Sequence, residues 1–226
     1  AAVYGYFIYY SVALMTESFF IVLVLSALFL SLEIKDKPGL TRLILLGLVL
    51  GFAGLLRQTI LVFVPFLLLW LFWEWKKDGL NRWYTVVPVV VIVLLIAPWS
   101  LRNYQVYHQF LLLNSNAGYA LYASNNPNLG SDWNNDEVVV PVPRELKGLN
   151  EAQLDRALAQ KGIQFILADP KRYVLLTLDK TLEYFKFWPS RDSGTMSNLV
   201  RVLSFGIYLP FMLLGLFLSF SRWRNF

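Results

Sequence analysis

Four apolar runs follow one another closely, at residues 17–32, 41–56, 59–73 and 84–101, and a fifth occupies 202–220. Between the fourth and the fifth lies one long polar stretch, 102–201, of ordinary soluble composition. An apolar segment of about 18 residues or more with few charges reads as a membrane span, and slightly shorter ones fit within a bundle. Hydrophobic residues make up 57% of the chain and charged residues 15%, outside the usual soluble range. The expected fold is therefore an all-α polytopic membrane protein: about five transmembrane helices and one large, partly helical extracytoplasmic loop. Its parts are a membrane region at 1–101, the loop at 102–201, and the last span with a tail at 202–226.

Charge orients this arrangement. The net charge is +5, but the bases sit in short loops between apolar runs: Lys35, Lys37 and Arg42, then Lys76, Lys77 and Arg82, then Arg222 and Arg224 in the tail. The opposite side has only Arg57 in a very short turn before the long loop. Lysine and arginine in short loops mark the cytoplasmic face, while long loops translocate largely regardless of charge. The first span then runs outside to inside, 102–201 is extracytoplasmic, and the bilayer, not nucleic acid, is the expected partner of the basic charge. Trp70, Trp73, Trp75, Trp83 and Tyr84 flank one loop, as interfacial aromatics do. There is no cysteine, which excludes disulfides, thiolate chemistry and cysteine-ligated metals. The chain opens Ala1-Ala2-Val3, without Met or a basic segment before an apolar core, so it does not read as a signal peptide and a piece of a longer or processed protein is expected. Residues 1–15 are apolar and Tyr-rich and read as a helix lying in the outer interface, in preference to the end of an earlier span, because Thr16 suits a cap and Glu17 suits the helix dipole.

The long stretch divides in three. Residues 102–129 are rich in Asn, Tyr and Ser and predict turns. In 130–148, Val138–Val140, Pro141, Val142 and Pro143 predict extended backbone, at most an edge strand. Helices are predicted at 150–168, with Asn150 as cap, and at 171–187, after Asp169 as cap and Pro170 at the first helical position. The second is amphipathic and suits a membrane interface.

Glu17, Arg57 and Arg102 fall at the outer ends of three spans, which puts all three at one depth. Two guanidiniums beside a carboxylate suit a lipid-borne phosphate, because Arg meets phosphate oxygens with a two-pronged donor geometry. The plainer reading is that both arginines snorkel to the headgroups. Asp132, Asn134 and Asp136 begin like a calcium loop, but Glu137 and Pro143 stand where that loop needs Gly and an acid. A solvated loop is expected there, with a divalent cation as the weaker reading; no metal site and no cofactor are expected elsewhere. His108, the single histidine, reads as an interfacial loop residue ahead of a general base. The Asn and Tyr residues of 104–133 suit sugar hydroxyls as well as they suit loop packing.

Several of these segments resemble a known family: Thr16-Glu17, Leu55-Leu56-Arg57-Gln58-Thr59, Pro98-Trp99-Ser100-Leu101-Arg102-Asn103-Tyr104, Asn116-Ala117-Gly118-Tyr119 and Asn125-Asn126-Pro127. In order and placement they are similar to the GT-C superfamily of membrane glycosyltransferases, in its protein-mannosyltransferase-like and aminoarabinose-transferase-like group. The resemblance covers most of residues 10–190. It implies an integral protein of a bacterial plasma membrane that moves a sugar from a polyprenyl-phosphate carrier to a protein, lipid or glycan acceptor at the outer face. By motif, Arg57 and Arg102 bind the donor phosphate, Glu17 and Asn103 support them, and Asn116, Tyr119, Asn125 and Asn126 contact sugar or acceptor. The family's catalytic Asp lies in a first outer loop upstream of residue 1, so this chain would be a C-terminal part, inactive alone. Gln58 stands where the family often has Pro. An O-antigen polymerase or ligase is the alternative enzyme. A transporter or scaffold is the non-enzymatic alternative, weakened by the lack of internal repeats and of mid-span charge.

Overall fold

The computed structural model describes residues 16–77, 82–127, 140–184, 188 and 194–223. The readings of 1–15 and of Asp132, Asn134 and Asp136 lie outside these residues. All regular structure among the described residues is helical, with no strand. The helices are α1 (Thr16–Asp36), α2 (Leu40–Leu56), α3 (Ile60–Lys77), α4 (Val86–Tyr107), α5 (Asn116–Asn125), α6 (Glu151–Ala168), α7 (Pro170–Tyr184), α8 (Thr195–Arg201) and α9 (Ile207–Trp223). Short 3-10 turns occupy Arg82–Thr85 and Arg144–Leu146, and a π-helical turn, Val202–Gly206, joins α8 to α9.

Two helical stretches, Thr16–Lys35 and Trp83–Tyr107, are long and apolar enough to cross a membrane. The apolar parts of α2, α3 and α9 (Leu40–Leu56, Ile60–Trp75 and Ile207–Phe220) are shorter. The five apolar runs are thus five helices, of which two pass as spans by length and composition.

The chain forms two compact units. The larger comprises Thr16–Pro127 and Val140–Phe165, and the smaller includes Ile166–Phe226. In the larger unit α1 to α4 alternate in direction. Ion pairs close the α1–α2 hairpin at both ends: Arg42 Nε donates to Glu33 Oε1 at 3.0 Å beside the turn, and Arg57 donates to Glu17 at the far end. Lys35 reaches Glu74 at 3.7 Å, which brings the last turn of α3 to the same end as the last turn of α1.

α2 and α4 run in the same direction and touch through glycine. A Cβ on Gly47 would lie 2.6 Å from Val91 Cβ and 3.0 Å from the Pro88 backbone, and one on Gly51 would lie 2.5 Å from Leu95 Cδ1. One turn on, Gly54 faces Ile96 and Leu61. Small residues at this spacing let two apolar helices approach closely, backbone to backbone at Gly47. Around this seam Leu43, Leu46, Leu50, Ala53, Val64, Leu71, Ile92 and Ile96 are buried in one core. Outward faces remain apolar and exposed, among them Phe19, Val22 and Phe29 on α1 and Val93 and Leu94 on α4.

Two segments depart from the sequence reading. α4 continues past residue 101 to Tyr107, because nothing in Arg102-Asn103-Tyr104-Gln105 breaks a helix; it ends where His108 takes a left-handed φ of 52°. The turn-rich reading of 102–129 gives way to a helix at Asn116–Asn125. Gly118 permits it: a Cβ there would fall 1.9 Å from the Asp155 carbonyl oxygen, so α5 lies directly on α6. Packing against α6 outweighs the local turn preference of Asn and Gly.

The start of α6 is a reciprocal cap, with Gln153 N–H donating to Asn150 Oδ1 at 2.9 Å and Asn150 N–H to Gln153 Oε1 at 3.2 Å. In the smaller unit Asp169 caps α7 through Arg172 N–H at 2.9 Å, with Pro170 opening the helix. α7 buries Leu176 and exposes Val174, Leu175, Leu178 and Leu182. It ends at Tyr184 in the described residues, and 185–187 of the expected helix lie outside them.

Adding one methyl group at the seam should be felt. Gly47→Ala is expected to destabilise the protein by about 1–3 kcal/mol through overpacking. Gly215→Ala in α9, where no atom lies within 4 Å of the added carbon, should stay within about 0.5 kcal/mol of wild type or gain stability. Chemical unfolding of both variants in detergent checks this; equal behaviour would contradict the seam.

Candidate functional site

The direction of α2 and α4 decides where the candidate residues lie. Contacts run from Gly47 with Pro88 and Val91, through Gly51 with Leu95, to Gly54 with Ile96. Continuing that register carries Arg57, just past α2, and Arg102, in the last part of α4, to the same end of the helix pair. Glu17, in the first turn of antiparallel α1, is brought there as the ion-pair partner of Arg57.

Arg57 caps α2 in extended backbone, its N–H bonded to Ala53 O at 2.8 Å, and its carbonyl accepts Ile60 N–H at 3.2 Å. Both backbone polar groups are used in the turn, and the side chain projects as a half-exposed guanidinium bonded to Glu17. An ion pair this exposed contributes at most about 1 kcal/mol in water. Its consequence is positional: it sets where the guanidinium points.

Arg102 is held differently. Its guanidinium carbon lies 5.6 Å from the centroid of the Trp99 ring, and Nη1 donates to Asn103 Oδ1 at 3.2 Å. Asn103 is 2% exposed and uses its amide fully: Nδ2 donates to Leu113 O at 3.0 Å and to Leu111 O at 3.3 Å. Trp99 Nε1 donates to the same Leu113 carbonyl at 3.0 Å, and Ser100 Oγ to Leu112 O at 2.6 Å. The polar residues of Trp99-Ser100-Leu101-Arg102-Asn103 thus pin the returning segment 111–113 along the end of α4, satisfying carbonyls that no helix or strand supplies.

That segment leads to a second carboxylate. Glu151, the first residue of α6, accepts the Tyr107 hydroxyl at Oε2, at 2.6 Å, and the Ser115 hydroxyl at Oε1. Asn150 Nδ2 donates to Tyr107 O at 3.3 Å. The Ser115 and then the Tyr107 hydroxyl hold the Glu151 carboxyl below the usual carboxylate range, and the positive charge of Arg102 acts in the same direction. One turn on, Asp155 accepts the Gly118 N–H at 2.6 Å; burial pushes its carboxyl up, the Gly118 bond opposes this, and the charge of Glu151 adds to the rise.

The sugar-contact candidates take separate places. Asn116 is exposed at the start of α5. The Tyr119 hydroxyl donates to Val140 O at 3.1 Å, tying α5 to the 140–143 segment. Asn125 and Asn126 are buried, and Asn125 Nδ2 donates to Leu121 O at 2.8 Å and to Ser124 Oγ at 3.1 Å. His108 spends its backbone on ending α4. No group of three or more His, Cys, Asp or Glu side chains capable of holding a metal ion occurs among the described residues.

No family model, curated protein or solved structure matches this chain.

The two loop carboxylates act on stability with opposite sign. Glu151, with a lowered pKa, contributes stability that is present above the usual glutamate range and lost as pH falls through its depressed value. Asp155, with a raised pKa, favours the folded state as it takes up its proton on acidification. Between about pH 5 and about pH 3, Glu151→Gln should therefore lose less stability than wild type. Melting temperatures across that range decide it; identical acid limbs would remove Glu151 from the balance.

Proposed function

We propose that this chain belongs to an integral-membrane glycosyltransferase of the GT-C type, and that Arg57 and Arg102 grip the phosphate of a polyprenyl-linked sugar donor at the outer face. One observation carries the reading: the parallel glycine seam between α2 and α4 places both guanidiniums at one end of the helix pair, beside Glu17 and the loop. A guanidinium has five N–H donors in a fixed fork. The recorded side-chain bonds use Nη2 of Arg57 and Nη1 of Arg102.

The membrane setting rests on exposure as well as on length. Only 17% of the first apolar stretch and 22% of the second are buried inside the protein, whereas the core helix of a soluble protein is mostly buried. Phe19, Val22, Phe29, Val93 and Leu94 would face lipid tails. With five helices spanning, α2 and α3 would fit as short spans within a bundle, and the basic residues at 35, 37 and 42 would face the cytoplasm opposite the arginine pair.

In the proposed reaction an acceptor oxygen attacks the anomeric carbon of the donor sugar. The bond from that carbon to the phosphate oxygen breaks, and the acceptor proton passes to a carboxylate base, which the family resemblance puts upstream of residue 1. Negative charge grows on the departing phosphate, where donors already in place stabilise it without reorganising. Glu17 keeps Arg57 oriented, and Asn103 supports Arg102 from beneath. Asn116 and Tyr119, in the first half of α5, are the loop's candidates for sugar or acceptor contact, while Asn125 and Asn126 are buried at its far end.

In the full-length protein, Arg57→Ala and Arg102→Ala should each lower sugar transfer by more than about tenfold. A lipid-linked-sugar assay in vesicles measures this, and near-wild-type rates in both variants would defeat the proposal.

A further inference from the structure

α7 turns an apolar side outward. Val174, Leu178 and Leu182 recur every four residues, which makes one stripe on a helix. All three, and Leu175 beside them, are more than half exposed. A step of two residues turns a helix by about 200°, so Arg172, Leu176 and Lys180 occupy the other side. There Leu176 is buried and the two cations are partly buried. The charged side is the covered one and the apolar side is bare, the reverse of what water selects.

The hydroxyls along α7 are turned inward too. Thr177 Oγ1 donates to Tyr173 O at 2.8 Å and Thr181 Oγ1 to Thr177 O at 2.7 Å, each to the carbonyl four residues earlier. Ser219 does the same in α9, donating to Gly215 O at 2.9 Å. A hydroxyl satisfied by its own helix needs no water.

α9 shows what covers such surface in this unit. Phe211, Met212, Leu213 and Leu214 are consecutive and so point to every side of the helix, and each is more than half exposed. A helix apolar on all sides is surrounded by an apolar medium; with no protein against these four residues, that medium is lipid. α7 belongs to the same compact unit. It cannot span: its 15 residues rise about 22 Å against about 30 Å of hydrocarbon, and it carries Lys171, Arg172, Asp179, Lys180 and Glu183. A helix with one apolar side and charges elsewhere lies in the plane of the membrane interface. Lys171, exposed one turn before Leu175, stands at the head of the apolar side, where its stem lies along that side and its ammonium reaches phosphates. Trp188, just past the helix, is exposed as interfacial aromatics are.

We infer that α7 is a membrane-surface anchor. It lies flat on the outer leaflet of a phospholipid bilayer, with Val174, Leu175, Leu178 and Leu182 in the acyl boundary and Lys171 among the headgroup phosphates. It keeps the C-terminal part of the long polar stretch at the membrane surface. This rests on the membrane setting proposed above and is independent of sugar transfer.

The test is spin-label accessibility in the full-length protein in phospholipid vesicles. This chain has no cysteine, so one label reports one introduced site once any cysteine outside it is replaced by Ser. Labels go on Leu178→Cys, Leu182→Cys and Asp179→Cys, with Phe217→Cys in α9 as the lipid reference; Val174→Cys replaces Leu178→Cys if that variant does not fold. Labels at 178 and 182 should collide with oxygen about fivefold more than with a water-soluble nickel chelate, at a depth of about 5–10 Å, and the label at 179 should show the reverse preference. Nickel-accessible labels at 178 and 182 beside an oxygen-accessible label at 217 overturn the anchor and leave the membrane setting standing. Labels at 178 and 182 shielded from both reagents overturn it in favour of a protein partner, and dipolar broadening between labels identifies that partner as a second copy. Equal oxygen access at 178, 179 and 182 overturns the flat orientation. A nickel-accessible label at 217 overturns the membrane setting and the anchor together.

Discussion

The backbone-to-backbone approach of α2 and α4 governs this structure. Gly47 and Gly51 on one face of α2 meet Pro88, Val91 and Leu95 so closely that an added Cβ would force a shift, and Gly54 lies in ordinary contact with Ile96. In an apolar helix pair apolar burial alone does not choose a register, because apolar surface lies on every face; close steric fit does. Once the register is set, the charged ends follow. Arg57 leaves α2 and Arg102 rides α4 to the same end, and α1, antiparallel to both, returns Glu17 to meet them.

The opposite end of the bundle shows what charge does without a proposed ligand. Glu33 with Arg42 and Lys35 with Glu74 make simple pairs that close turns and staple helix ends. At the arginine end the pattern is denser: a cation over an aromatic ring, a buried amide with both donors spent, two hydroxyls on one carboxylate. The Asn103 amide is buried, and a buried polar group holds one arrangement when all its bonds are made. Together these groups tie the loop to the helices by defined bonds where an apolar contact would tolerate slippage.

The loop itself is a small helical assembly. α5 sits on α6 because Gly118 allows contact with the Asp155 backbone, and Tyr119 and Tyr122 reach across to the carbonyls of Val140 and Pro141. The Asn-rich segment that looks like turn material is thereby drawn into helix and partly buried. Its asparagines act as internal hydrogen-bonding groups at 125 and 126 and as an exposed side chain at 116.

Much of this was legible in the chain. The five helices lie where the apolar runs are, since hydrophobic patterning over ten or more residues outweighs local preference. The caps at Asn150 and Asp169 are local chemistry, settled within three residues. The grouping of Glu17, Arg57 and Arg102 at one end follows from counting helices that alternate in direction. The sequence alone could not reveal Glu151. It lies 44 residues from Tyr107 and 36 from Ser115, and no periodicity spans such a separation. Nor could it show that Gly47 and Gly51 face α4, or that α4 runs on to Tyr107 before His108 ends it. Patterning determines which segments become helices because it acts between near neighbours along the chain. Which carboxylate meets which arginine is decided only when distant segments pack, because charge and steric fit act through space.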